Sequence, residues 1–432
     1  MLKKEELKKK VTASIEENRD KIVELGKRIY ENPELGYKEE FVTDLVYDAF
    51  KELGLDPDKN IAVTGCSAVA EGDKPGPCLA FMGEIDAILC HEHPDADSET
   101  GAVHACGHNI QSGVMYGAAL GLMMTEAFND LAGSVKFMAV PAEEYVELEY
   151  RSDLKDKGKI KYFGGKQELI KKGNLDDVDL AMMMHSLDLE EQGLKALLGP
   201  SGNGFVGKKV QFLGKESHAG SAPEEGVNAL NAANIGLQAI NSRRETFKDE
   251  DVIRVHPVIT KGGDSVNVVP SDVRIKTYVR AKDSKSIIET NKKVDQALKG
   301  GALAIGTNIE INDYPGYMPF KSDELLGNIF EENVKFNIGK EGVIKESPHV
   351  TASTDMGDVS QIMPSIEPSI GGFKGDIHSK DFEIVDKEMA YIIPAKITAC
   401  TLIDILTNKK IVKKIKKRKN NKKSIKEYLK TL

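Results

Sequence analysis

From Asn60 to His185 the chain alternates short apolar or β-branched runs, broken by glycine and proline, with helical stretches, and this alternation most restricts its fold. IAVTGCSAVAE, PCLAFMGEIDAIL, SVKFMAV and VDLAMMMH read as strands. Gly113 to Phe128, rich in Ala, Met and Leu, and Lys166 to Lys172 read as helices between them. Strands alternating with helices of this length imply α/β architecture, with a mostly parallel sheet and helices on both faces. Upstream, apolar positions at helical spacing predict an amphipathic helix over residues 4–31 and a second over 38–53.

Near residue 195 the texture changes. FVGKKVQFLG (205–214) alternates as a half-exposed strand does, 227–240 and 284–298 read as helices, and 251–259 and 271–281 as strands. This predicts an inserted α+β sandwich over 196–312, interrupting a first domain of residues 1–195 and 313–408. Helices are expected at 322–336 and 385–407. A chain of 432 residues, 40% hydrophobic and 29% charged, is large enough for two such cores.

The net charge is −9, and the clearest basic cluster lies in a Lys-rich tail, residues 409–432, expected to be a solvated or frayed helix. That balance argues against nucleic acid as the main partner. The N-terminus has no apolar leader core, and no uninterrupted apolar run approaches the roughly 18 residues that span a bilayer, so a cytoplasmic location without a membrane partner is expected. Cysteines 66, 78, 90, 106 and 400 are too few and too irregular for a disulfide framework.

Chemistry-bearing residues recur where apolar strands end: Cys106-Gly-His108, Glu143-Glu144 after Val140-Pro-Ala, His185 after Met184, and His378 after Ile377. In open α/β sheets sites form at such carboxyl ends. Thiolate, imidazole and carboxylate are the donors of a zinc-class centre, and five of them suit two ions better than one. Each residue alone has an ordinary explanation, as a core thiol, a hydrogen-bonded histidine or a surface carboxylate; the joint occurrence carries the weight.

GEIDAI, HACGHNIQSGVMYGAALGL, PAEE, ESHAGSAPEEGVNAL, SVNVVPSDVRIKTYVRA, STDMGDVS and DIHSKDF occur in one order. With these runs the chain resembles the zinc aminoacylase and carboxypeptidase superfamily, most closely its amidohydrolase branch of aminobenzoyl-glutamate, indole-acetyl-amino-acid and hippurate hydrolases. The likeness begins at ENPELGYKEE and extends over about residues 10–405. It implies a hydrolase of small N-acyl-amino-acid or dipeptide-like amides, with two divalent ions per chain: zinc first, with manganese, cobalt or nickel suited to the same donors. Cys106 would bridge the ions, with His108, Glu144, His185 and His378 completing the ligands. Glu143 would be the general base, and Asp86 would orient a ligand imidazole. His218 would reach a partner subunit's site in a homodimer formed through the inserted domain, and Asn267 and Arg280 would hold the substrate carboxylate.

The chain departs from the pattern at Glu84, where other branches carry a ligand histidine and where it is not counted as a ligand. It departs again at Asn109 and over 147–165, which is more charged than the usual glycine-rich stretch. His91 and His93 read as loop residues, His104 as a support to the ligands, and His256 and His349 have no evident partner. A thiol enzyme with Cys106 as nucleophile leaves Glu143, Glu144 and His378 unexplained, and a silent scaffold leaves the full donor set unexplained.

Overall fold

The computed structural model describes residues 4–189, 193, 195–344 and 348–431. The chain divides into two compact units, the first comprising Met1–Ser201, Lys321–Pro348 and Asp358–Leu432, the second Gly202–Phe320 and His349–Gly357. The second unit is thus wider than the 196–312 read from sequence. The strand Asn308–Pro315 pairs along Gly204–Leu213 and carries the chain past residue 312, and His349 Nε2 lies 2.9 Å from Asn203 Oδ1.

Strands of the first unit include β1 (Asp58–Ile61), β2 (Gly65–Glu71), β3 (Lys74–Glu84), β4 (Ala132–Val140), β5 (Leu180–Met183), β6 (His185–Asp188), β7 (Ser365–Ile366) and β8 (Ser369–Lys374). Six form one sheet in the order β1-β2-β4-β3-β5-β7. The pairs β3–β4, β3–β5 and β5–β7 are parallel, and the β1–β2 hairpin is added antiparallel at the β4 edge. Leu79–Glu84 and all of β5 are buried without alternation, as in a sheet covered on both faces. β6 and β8 pair in parallel in a neighbouring sheet, with His185 opposite Ser369.

The predicted N-terminal helix is two, α1 (Lys4–Glu17) and α2 (Arg19–Tyr30), broken at Asn18, whose side-chain amide donates to the Ser14 carbonyl. Leu7, Val11 and Ile15, then Ile22, Leu25 and Ile29, carry the apolar stripe into the core. α3 (Glu40–Glu52) follows, and α4 (His108–Met124) begins earlier than its apolar pattern indicates. The start is set by Gly107, whose φ of 77° makes the turn that brings Cys106 beside His108; a Cβ there would lie 2.8 Å from Ser186 Oγ. α5 (Leu148–Asp156) and α6 (Gly165–Lys171) lie between β4 and β5, and α7 (Glu324–Ile338) and α8 (Ile393–Leu406) complete the core packing. The stretch Glu388–Leu406 is long and apolar enough to cross a membrane, and 83% of it is buried within the protein, as in a core helix.

The second unit is an antiparallel sheet ordered Arg254–Val255, Asp272–Ala281, Gly204–Leu213, Asn308–Pro315, with Val258–Lys261 also on Asp272–Ala281. Helices Ala229–Arg243 and Ser284–Ile305 share its core with Val210, Phe212, Val273 and Ile275. The single strand expected at 251–259 is two pieces separated at His256-Pro257, where proline has no N–H for the ladder.

The Lys-rich tail is not a frayed end. It forms α9 (Lys409–Asn420) and α10 (Ile425–Leu429), capped by Asn408 and by a Ser424–Glu427 capping box. Ile415 and Tyr428 are fully buried, the Tyr428 hydroxyl donates to Asp358 (2.7 Å), and Arg418 pairs with Asp323 (2.9 Å). Lysines occupy the outer face of an amphipathic helix whose inner face docks. Tyr428→Ala, which removes a buried ring and one of the hydrogen bonds to Asp358, whose Oδ1 also accepts from Gln167 (3.2 Å), is expected to cost about 3 kcal/mol, read as a lower denaturant midpoint at unchanged slope.

Candidate metal centre

The carboxyl ends of β3, β4 and β5 deliver Asp86, Glu143 with Glu144, and His185 to one region, and the turn before α4 adds Cys106 and His108. His378 arrives from the loop after β8 with φ 64°, its backbone N–H donating to the Ala105 carbonyl (2.7 Å). Three triads of donor atoms, each mutually within 4.8 Å, result: Cys106, His108 and His185; Cys106, Glu144 and His378; Glu84, His108 and Glu143. Two of them share the Cys106 sulfur.

Asp86, fully buried, ties the two sides together. Its Oδ1 lies 3.1 Å from His108 Nδ1, its backbone carbonyl 2.8 Å from the same nitrogen, and its Oδ2 accepts the Glu144 N–H at 2.8 Å. These contacts make His108 Nδ1 the protonated nitrogen and leave Nε2 facing the other donors. His185 is fixed likewise, Nδ1 at 2.9 Å from the Ser186 carbonyl and Nε2 at 3.7 Å from Cys106 Sγ. His378 Nε2 lies 2.9 Å from Glu144 Oε1, and Glu143 Oε2 is 4.0 Å from His108 Nε2.

The residues fit metal ions on an observation independent of donor type. Among the described residues His108 Nε2 and Glu144 Oε1 are buried without a hydrogen bond of good angle, although Glu84 Oε2 and His378 Nε2 stand at 3.0 and 2.9 Å from them. Strong polar atoms left this way in a core are rare and point to a ligand. Charge points the same way. Glu84, Asp86, Glu143, Glu144 and the Cys106 sulfur are buried together, and a cluster of this sign needs cations to be stable.

Glu84, set aside in the sequence reading, is part of the cluster. Its Oε2 lies 3.0 Å from His108 Nε2, while Lys166, itself fully buried, grips Oε1 at 2.6 Å. Gln111 closes a ring with it, donating to Oε2 (2.8 Å) and accepting from its backbone N–H (3.1 Å). Lys166 escaped the sequence reading because a buried lysine on a short helix carries no local signature, and Gln111 because its partner Glu84 lies on another element.

His91 is exposed, and His93 is a loop residue, with Nε2 at 3.0 Å from the Phe382 carbonyl and Nδ1 accepting the Asp95 N–H. His104 is buried, and burial followed by His108 pushes it down to about 3, so it is neutral. His218, Asn267 and Arg280 belong to the second unit. His218 is exposed, with Nδ1 accepting from the Gly220 and Ser221 N–H groups (3.1 Å each), and the neighbouring Ala219 N–H donates to the Asn267 carbonyl (2.9 Å). Arg280 donates to Ser353 Oγ (2.8 Å) and to His256 Nε2 (3.3 Å) and lies over the Phe205 and Tyr278 rings, which gives His256 the partner the sequence did not show.

An α/β unit with convergent Cys, His and Glu donors at its strand ends defines a candidate metal centre. The family model described as peptidase family M20/M25/M40 matches residues 80–402, and the chain belongs to that family. It is 26% identical over 391 residues, 86% of this chain and 83% of the relative, to IAA-amino acid hydrolase ILR1-like 4 of Arabidopsis thaliana. It is 27% identical to Xaa-Arg dipeptidase of Mus musculus, over 95% of this chain and 91% of that one. Among solved structures, a dinuclear metal-binding peptidase of Bacillus subtilis superposes with a TM-score of 0.68 at 20% identity, covering 90% of this chain and 99% of that one. The aminobenzoyl-glutamate utilization protein of Klebsiella pneumoniae gives 0.67 at 17%, covering 90% and 97%. The protein is a metal-dependent amide or peptide hydrolase.

Without cations, protons take their place. Burial lowers His185, but the Cys106 sulfur outweighs it and raises the imidazole to about 9; at His378 burial is likewise outweighed by Cys106 and Glu144, to about 11. A histidine raised from 6.5 to about 9 stabilises the fold fully below pH 6.5 and loses that contribution as pH rises through 9. The Cys106 thiol, lowered to about 6, offsets His185 over that window, so the metal-free protein is expected to lose Tm from pH 6.5 toward 11 through His378, while metal-loaded protein, with neutral imidazoles, shows no such loss. Scanning calorimetry across that range checks this.

Proposed function

We propose that the protein hydrolyses the amide bond of a small N-acyl-amino-acid or dipeptide-like substrate, using two divalent ions held by Cys106, His108, Glu144, His185 and His378. The observation that carries the reading is the sharing of the Cys106 sulfur by two three-donor groups, one with His108 and His185, the other with Glu144 and His378. When bound, such ions lower the pKa of water and polarise the scissile carbonyl. Thiolate and imidazole favour zinc, and manganese, cobalt or nickel suit the same donors.

Glu143 is the general base. Its carboxylate, 9% exposed beside the donors, takes a proton from the attacking water and delivers it to the leaving nitrogen. Burial and Glu144 push the Cys106 thiol up, yet His108 and His185 bring it down to about 6, so it serves as a thiolate ligand near neutral pH. Asp86 holds His108 and Glu144 in register.

The named relatives act on IAA-amino acid and Xaa-Arg substrates, and in both the leaving group is an amino acid. Arg280 and Asn267 are the proposed grip on its carboxylate, for which a guanidinium fork is shaped. His218, on an exposed loop, is proposed to stabilise the oxyanion at a partner's site, within a homodimer through the second unit. All five cysteines are free thiols, which supports a reducing, cytoplasmic setting.

The test is metal analysis of purified protein together with hydrolysis of N-acyl amino acids, aminobenzoyl-glutamate and dipeptides before and after chelation. About two ions per chain are expected, with activity lost on chelation and restored by metal. Glu143→Ala is expected to keep its metal and lose at least about a hundredfold in kcat. Activity that survives chelation would sink the reading and favour a thiol enzyme. Preference for dipeptides with a free α-amino group would mark the dipeptidase form of the same site. Arg280→Lys is expected to raise KM about tenfold with kcat nearly unchanged.

A further inference from the structure

Among the described residues Arg151 is the largest fully buried side chain, and it lies in 147–165, the stretch where the chain departs from the pattern it otherwise resembles. Among the described residues no carboxylate pairs with it. Two of its three nitrogens are spent on backbone carbonyls: Nη1 donates to Phe163 (2.6 Å) and Ala142 (3.3 Å), and Nη2 donates to Glu144, while Nε is buried with no hydrogen bond among the described residues. The rings of Tyr37 and Tyr145 flank it, their centroids 5.4 and 6.0 Å from the guanidinium carbon. A buried guanidinium is costly unless its donors are used, and a single planar group here fastens two loop segments at once.

The segment it fastens is the one that carries both carboxylates. Ala142 has φ 56°, a left-handed conformation that a non-glycine residue keeps only when its surroundings impose it. Glu39 Oε1 accepts the Ala142 N–H (2.8 Å), the Gly165 N–H donates to the Ala142 carbonyl (3.1 Å), and Arg151 holds the same carbonyl and that of Glu144. Gly36 leaves the room. A Cβ on Gly36 would lie 2.2 Å from Arg151 Nη2 and 2.9 Å from the Ala142 Cα.

We propose that Arg151 is a positioning residue for the metal centre: by clamping the carbonyls of Ala142 and Glu144 it holds the strained turn that aims Glu143 and Glu144, with Gly36 as the gap that admits it. It touches neither substrate nor metal and acts through those two carboxylates. The proposal rests on the two-ion reading of the site. It also gives the ENPELGYKEE run a physical role, since Gly36 and Tyr37 form the wall against which the guanidinium is pressed.

The experiment compares wild type with Arg151→Met, Arg151→Lys and Gly36→Ala, and with Lys8→Met as a control for losing a buried cation elsewhere. Lys8 is held by Asp404 (2.5 Å) and Asn333 (2.8 Å), outside the centre. Metal affinity is read by competition with a chromophoric chelator, the fold by circular dichroism and Tm, and kcat and KM separately. Arg151→Met and Gly36→Ala are expected to weaken metal binding by about tenfold to a hundredfold and to lower kcat more than they raise KM. Arg151→Lys, with one ammonium for three carbonyls, falls between, and Lys8→Met loses Tm while keeping its metal affinity. If Arg151→Met does not fold, the lysine and Gly36 variants decide. Wild-type metal affinity and kcat in the folded Arg151 variants, or an equal loss of affinity in Lys8→Met at matched Tm, would overturn the proposal. Wild-type protein that takes up no metal overturns the two-ion reading itself, a result distinguishable at the first titration.

Discussion

The contact on which the centre depends is the carboxylate of Asp86, which spends one oxygen on His108 and the other on the backbone of Glu144. Those two proposed ligands come from different parts of the chain, one from the turn opening α4 and the other from the loop after β4. A fully buried carboxylate that accepts from both fixes their separation with little freedom left. Parallel pairing of β3 with β4 and β5 supplies the frame, because it brings the ends of strands distant in sequence to one level.

Around that contact the protein assembles a concentration of buried charge that an apolar core would not tolerate. Glu84 is met by Lys166 and Gln111, and Glu144 by His378 and, through its carbonyl, by Arg151. Burial followed by Asp86 pushes the Glu39 carboxyl up to about 8, which lets it sit beside Asp86 without a second full negative charge at neutral pH. Each accommodation fits a site whose remaining positive charge is supplied by bound cations, and each costs stability in their absence.

Most of this was legible in the sequence where a signal is local. The apolar runs at 77–89, 134–140 and 178–185 announce strands, and Cys106, His108, Glu143, Glu144 and His185 follow strands or turns that burial patterns reveal. What was not legible depends on partners far along the chain. Lys166 looks like a surface lysine until Glu84 is opposite it, Arg151 like one charge among many until the carbonyls of Ala142 and Glu144 close on it, and Ile415 and Tyr428 like parts of a solvated tail until they meet a core face. The early start of α4 rests on the backbone angle of Gly107, which no apolar periodicity encodes.

The most direct test of the central claim, that Cys106 bridges two ions, is X-ray absorption at the metal edge of zinc- or cobalt-loaded protein beside Cys106→Ser. A sulfur shell at about 2.3 Å, averaging about one sulfur per metal and absent from the variant, is what a shared thiolate gives. A first shell of nitrogen and oxygen alone, unchanged by the substitution, would contradict it.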